Sequence, residues 1–183
     1  MLSLIKNTVM MIILVALAMS CNQNMSLQTY FVDHQEQPDF VSLDIPTSIL
    51  DIDETTLTED QKQAYESINK LNMLAYRFDE GKSETEDYKK ELSQVQTLLK
   101  DKKYSELMRG GNSTDGKFVF KYLEKNGSID EFILFGNAND KGFAIVRILG
   151  SNMNAKKIMD LASAMENADF SDSQISQFTD FFK

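Results

Sequence analysis

From Tyr104 onward the apolar residues of the chain recur at every second position, with Phe118, Phe120 and Tyr122 alternating with Val119, Lys121 and Leu123. A period of two marks a strand whose two faces meet different surroundings. Asn126-Gly127, the preferred pair for a two-residue hairpin, separates this run from Ile129 to Phe135. The turn residues Asn137 to Gly142 then separate that run from Phe143 to Leu149. Connections this short leave no room for a crossover, so the strands must pair antiparallel in chain order. A C-terminal meander of three or four antiparallel strands is predicted.

Upstream the period is mostly helical. Ser26 can cap a short helix whose Leu27, Tyr30, Phe31 and His34 share one face, and Pro38 halts it. Phe40 to Ile45 alternates as a half-buried strand that Pro46 ends, and Ile49 and Leu50 are expected to tuck back onto the core. After the acidic stretch Asp51 to Asp60, the capping box Thr58-Glu59-Asp60-Gln61 opens a helix expected to run to about Lys70, with Ala64, Tyr65 and Ile68 inward. Leu71 to Phe78 is apolar at nearly every position, as a central strand covered on both faces would be, and Gly81 closes it. Ser83-Glu84-Thr85-Glu86 reads as a second capping box, before the stripe Tyr88, Leu92, Val95 and Leu99. Lys100, Lys102 and Lys103 then suit the negative end of the helix dipole. Asn154 caps a last helix with Ala155, Ile158, Met159, Ala162 and Met165 inward, and Ser171 to Gln174 starts a tail helix carrying Ile175, Phe178 and Phe182. At 183 residues a single domain is expected. The predicted architecture is α+β, a largely antiparallel sheet with the helices packed mainly on one face.

The N-terminus stands apart. Met1 to Asn7 holds one cation, Lys6, and Thr8 to Met19 is uncharged and apolar, too short to span a bilayer but suited to a secretory leader. The only cysteine, Cys21, closes this run. Ala18-Met19-Ser20-Cys21 resembles the lipobox of bacterial lipoproteins, with cleavage between Ser20 and Cys21 and lipid attachment at Cys21; Leu17 sits one residue earlier than that pattern prefers. Residues 1–20 are thus expected to be a lipoprotein signal peptide, residues 21–25 the acylated cysteine and a short tether, and residues 26–183 the folded domain. A diacylglycerol and a further chain such as palmitate would anchor the protein durably, since each buried methylene contributes about 0.8 kcal/mol.

Ser26 to Leu50, "LNMLAYRF" (71–78), "YSELMR" (104–109), "KNGSIDEFILF" (125–135) and "LGSNMNAKKIMDLASAM" (149–165) together resemble the bacterial lipoprotein family of domain of unknown function 4252. The resemblance spans nearly all of the expected mature chain and implies an envelope lipoprotein of Gram-negative bacteria. It brings no catalytic residue with it. Gly150-Ser151-Asn152-Met153 departs from the Gly-Asp-Ile-Asp common before the last helix of such proteins.

Elementary chemistry narrows the function further. A formal charge of −9 without a Lys/Arg run opposes nucleic acid as a partner. The lone histidine, His34, falls on a core-facing register and is expected to be a satisfied interfacial residue. One histidine and a lipidated cysteine are too few for a zinc site, and no cofactor is expected. Asn137 to Gly142 imitates the start of a calcium loop, but Lys141 occupies a ligand place and Ile148 stands where a glutamate is needed. Arg109-Gly110-Gly111-Asn112 and Gly116-Lys117 lack phosphate-loop spacing and read as flexible turns. Phe181 and Phe182 are expected to be a packed terminus, with an exposed docking patch as the alternative. The expected function is a non-catalytic interaction module tethered to a bilayer through Cys21, with a possible envelope protein partner. An outer-membrane position facing the periplasm is preferred over the inner membrane or secretion. The alternatives are an accessory or sensor factor in envelope-stress signalling and a hydrolase built on Asp44, Asp51 or Asp53.

Overall fold

The computed structural model of the chain describes residues 25–47, 52, 54–77, 85–112, 116–138 and 142–165. Helix α1 (Leu27–His34) starts where the Ser26 hydroxyl accepts the Thr29 N–H at 3.0 Å, and it buries Leu27, Tyr30, Phe31 and His34 as its spacing requires. Strand β1 (Phe40–Pro46) follows, and a short 3₁₀ turn (Glu54–Thr56) leads into α2 (Glu59–Ser67). The Thr58 capping box forms reciprocally: the Thr58 N–H donates to Gln61 Oε1 at 2.9 Å and the Gln61 N–H to Thr58 Oγ1 at 3.4 Å.

Helix α2 stops three residues before the expected Lys70. Strand β2 (Ile68–Arg77) begins at once, because residues 68 and 70 pair with Gly150 and Leu149 and the sheet claims their backbone groups. Helix α3 (Glu86–Leu99) is capped by Thr85, whose hydroxyl accepts the Tyr88 N–H; the Ser83 and Glu84 of the expected box lie outside the described residues. Strands β3 (Tyr104–Asn112), β4 (Gly116–Lys125), β5 (Ser128–Ala138) and β6 (Gly142–Met153) form the meander, and α4 (Ala155–Met165) ends the described chain. Asn126 and Gly127 have φ of 55° and 81°, the left-handed conformation that a tight hairpin turn needs at both positions. In α4 Leu161 faces inward and Ala162 outward, one step from the expected stripe. Ile49, Leu50, Gly81 and the tail residues Ile175, Phe178, Phe181 and Phe182 lie outside the described residues.

The six strands form one sheet in the order β1-β2-β6-β5-β4-β3, with every neighbouring pair antiparallel. Strand β2 is interior, as its apolar sequence requires. The expected α+β class and antiparallel meander are therefore present. The helices are not gathered on one face: α1 and α3 cover Leu74, Tyr76, Ile133, Phe143 and Ile145, while α2 and α4 cover Phe120, Phe132 and Met153 on the other side. The reason is β5, where Phe132, Ile133, Leu134 and Phe135 are apolar in succession. A strand greasy on both sides needs helices on both.

Candidate functional site

Charged residues sit where that pattern calls for grease. Strand β6 turns Phe143, Ile145 and then Arg147 toward α1 and α3, and β5 turns Glu131, Ile133 and Phe135 the same way. Ile133 is directly opposite Arg147, which leaves Glu131 on its diagonal. Arg147 Nε donates to Glu131 Oε1 at 2.5 Å and Nη1 to Gln28 Oε1 of α1 at 2.6 Å. The guanidinium also lies 5.1 Å from the centre of the Phe31 ring. A buried arginine is tolerable only with such partners. On the far side of Glu131, the Tyr104 phenol is pushed up to about 12, first by burial and then by the Glu131 charge.

The same polar row continues the other way across the sheet. Arg147 pairs in register with Asn72 of β2, and Asn72 with Asp44 of β1. The buried Asn72 amide donates to Asp44 Oδ1, and Lys70 Nζ lies 3.9 Å from Asp44 Oδ2 at the exposed end of the row. Asp44 is thus a strand carboxylate engaged by an amide.

A second polar cluster joins α1 to α3. The Tyr30 hydroxyl donates to Glu91 Oε2 at 2.8 Å, and His34 Nε2 lies 3.1 Å from the same oxygen. His34 Nδ1 lies 2.8 Å from the Tyr30 carbonyl, and its ring stacks on the Tyr30 ring at 4.0 Å. Both ring nitrogens therefore have an oxygen within hydrogen-bond distance. Burial, and after it the Glu91 hydrogen bond, pushes the Tyr30 phenol far above its usual range and keeps it a donor. His34 is therefore an interfacial residue whose ring is fully engaged.

Beside this cluster, an open groove of about 470 Å³ runs between the start of α1 and α3, lined by Met25, Leu27, Lys90, Gln94, Leu98 and Lys103 among others. Cys21, Ser20, Asp51 and Asp53 lie outside the described residues. Asn137, read in the sequence as part of a turn, is at the end of β5 and accepts the Tyr88 hydroxyl at 2.6 Å. The stretch Arg109 to Asn112 and the pair Gly116-Lys117 are not flexible turns: Gly111 pairs with Lys117 and Asn112 with Gly116, closing the β3–β4 ladder. Among the described residues no three His, Cys, Asp or Glu side chains gather as a metal-binding group. No described helix is long and apolar enough to cross a membrane.

The Glu131–Arg147 pair was missed by the sequence reading. The signal was there, since both charges fall on the inward phase of strands that are otherwise apolar at every second place. A family model described as a domain of unknown function (DUF4252) matches residues 30–161. No curated protein and no solved structure matches the chain to significance.

Proposed function

The chain belongs to the family of domain of unknown function 4252, and on that footing we propose that it is an envelope lipoprotein, acylated at Cys21, whose folded domain is a non-catalytic interaction module. One observation carries the anchoring: the small-residue sequence Ala18-Met19-Ser20-Cys21 ends an apolar run, and the first helix of the domain is capped at Ser26, so residues 22–25 serve as the tether. Two acyl chains hold such a domain at a bilayer. The preferred location is the outer membrane, facing the periplasm.

The non-catalytic reading is supported by how the buried ionisable groups are used. Arg147 is committed to Glu131 and Gln28, and His34 to Glu91 and the Tyr30 carbonyl. The first set of contacts holds α1 on the sheet, and the second holds α1 against α3. Metabolic labelling with an alkyne fatty acid tests the anchor: the wild-type chain takes up label and sediments with membranes, whereas Cys21→Ala loses label and enters the soluble fraction. Label retained by Cys21→Ala, or a native mass with a free thiol, overturns the anchor. Crosslinking in membranes followed by affinity capture tests the module, and repeated failure to recover a specific neighbour counts against it.

A further inference from the structure

Strand β3 ends the sheet, and its outer backbone edge pairs with no other described strand. Leu107, Met108 and Phe118 are large apolar side chains left exposed on β3 and its neighbour β4. Long bare edges invite pairing, and bulges and charges ordinarily discourage it. This edge has both, in an unusual arrangement.

Between Glu106 and Met108, β3 gains one residue on β4: Glu106 is opposite Lys121, Met108 is opposite Phe120 and Arg109 is opposite Val119. Lys121 and Val119 are two apart, so Glu106 and Arg109 share a face although they are three apart. Arg109 accordingly grips Glu106 with Nε and Nη2, both at 2.5 Å, on the exposed surface.

We propose that two copies of this chain join β3 to β3, antiparallel, about a two-fold axis that stands perpendicular to the sheet and passes between Leu107 and Met108. In that register Glu106 of each copy faces Arg109 of the other, Leu107 faces Met108, and Ser105 faces Gly110. Residues opposite one another in an antiparallel pair must project to the same face. A regular strand cannot meet this condition about an axis between two residues, because its positions 106 and 109 project to opposite faces. The added residue at Leu107 restores the match on both strands at once. The two charges have opposite signs and lie at equal distances from the axis, so every cation meets an anion. Phe118, Met108 and Gly110 share the other face, and a Cβ at Gly110 would fall 2.6 Å from the Phe118 ring, so that ring lies over the strand and adds apolar surface beside the seam.

Sedimentation equilibrium of the full chain in density-matched detergent tests this, with Glu106→Arg and Arg109→Glu as variants. The wild-type chain dimerises. Each single variant places like charges across both contacts and weakens the dimer about tenfold or more. An equimolar mixture of the two variants restores a dimer, because every contact again joins opposite charges, and this recovery also shows that both variants fold. Three results overturn the proposal: a wild-type chain monomeric up to about 1 mM, a dimer that survives both single substitutions, or a mixture that fails to pair. The second would place a different face of the chain, or a different occupant on β3, at the interface.

Discussion

Arg147 Nε lies 2.5 Å from Glu131 Oε1 between adjacent antiparallel strands, and each of the two side chains is only 7% exposed. The bond crosses β5 and β6 on the diagonal, and the same guanidinium reaches up to Gln28 and Phe31. One cation therefore ties the sheet to α1. Its partners replace the water both ions give up, so the pair fixes where α1 sits more than it adds net stability.

Arg147→Met leaves the Glu131 carboxylate buried without its cation and is expected to cost about 3–5 kcal/mol in urea unfolding. The double variant Glu131→Leu/Arg147→Met removes both ions and is expected to be clearly more stable than Arg147→Met alone. A double variant as unstable as the single one would contradict this account.

Tyr104 makes the fold sensitive to alkali. Its phenol ionises near pH 10 in the unfolded chain and only near about 12 in the folded one, so between those values the unfolded state binds fewer protons. The Tyr104 contribution accordingly falls away as pH rises from about 10 to 12 and is exhausted above that, where the still more strongly raised Tyr30 phenol continues the decline. Two pH units correspond to about 2.7 kcal/mol; partial solvation of the ring reduces the expected loss to about 1–2 kcal/mol. Tyrosinate absorbance followed together with thermal melts checks the window, and Tyr104→Phe should remove this part of the slope.

Gly142 and Gly127 both have positive φ, yet their replacement should differ. At Gly142, φ is +114° and a Cβ would lie 2.0 Å from the Tyr76 carbonyl oxygen, so Gly142→Ala must push β6 away from β2. A loss of about 3 kcal/mol or more is expected. At Gly127, φ is +81° and the space is open, so Gly127→Ala should cost only the left-handed penalty of about 1–2 kcal/mol. Differential scanning calorimetry of the two variants would rank them.

Glu91→Leu withdraws the oxygen that the Tyr30 hydroxyl and His34 Nε2 share. An expected loss of about 2–4 kcal/mol follows from two buried polar groups deprived of the one oxygen they share. The damage should appear locally first: amide hydrogen exchange is expected to quicken in α1 before it does in β5 or β6. Uniform acceleration across the domain would show that the cluster does not hold α1 in particular.

Much of the fold was legible in the sequence because it rests on local rules. Asn126-Gly127 specified its hairpin, Thr58 and Gln61 their capping box, and Leu27, Tyr30, Phe31 and His34 a buried face. What was lost depended on distant partners. Residues 68–70 continue a helical pattern in isolation, but β1 and β6 lie beside them and draw them into the sheet. The division of helices between two faces was implicit in Phe132 to Phe135, yet which helix covers which face is decided by packing. Glu131 and Arg147 are of residue types that ordinarily stay at the surface. Only the phase of their strands turned them inward and made each the partner of the other. Asp44 was legible as a strand residue, whereas its engagement by Asn72 depends on the β1–β2 register.

The order of strands also governs how the molecule can come into being. Each ladder of the meander joins segments adjacent along the chain, but β2 finds its second neighbour only in residues 142–150, the last strand of that meander. A two-stranded β1–β2 ribbon is marginal alone in water, and the long closure that brings β6 to it is entropically slow. A nascent chain halted before residue 142 is therefore no smaller version of this protein: it is a loose ribbon waiting for its seam, and the last of the described strands to be synthesised is the one that lets β1 and β2 persist.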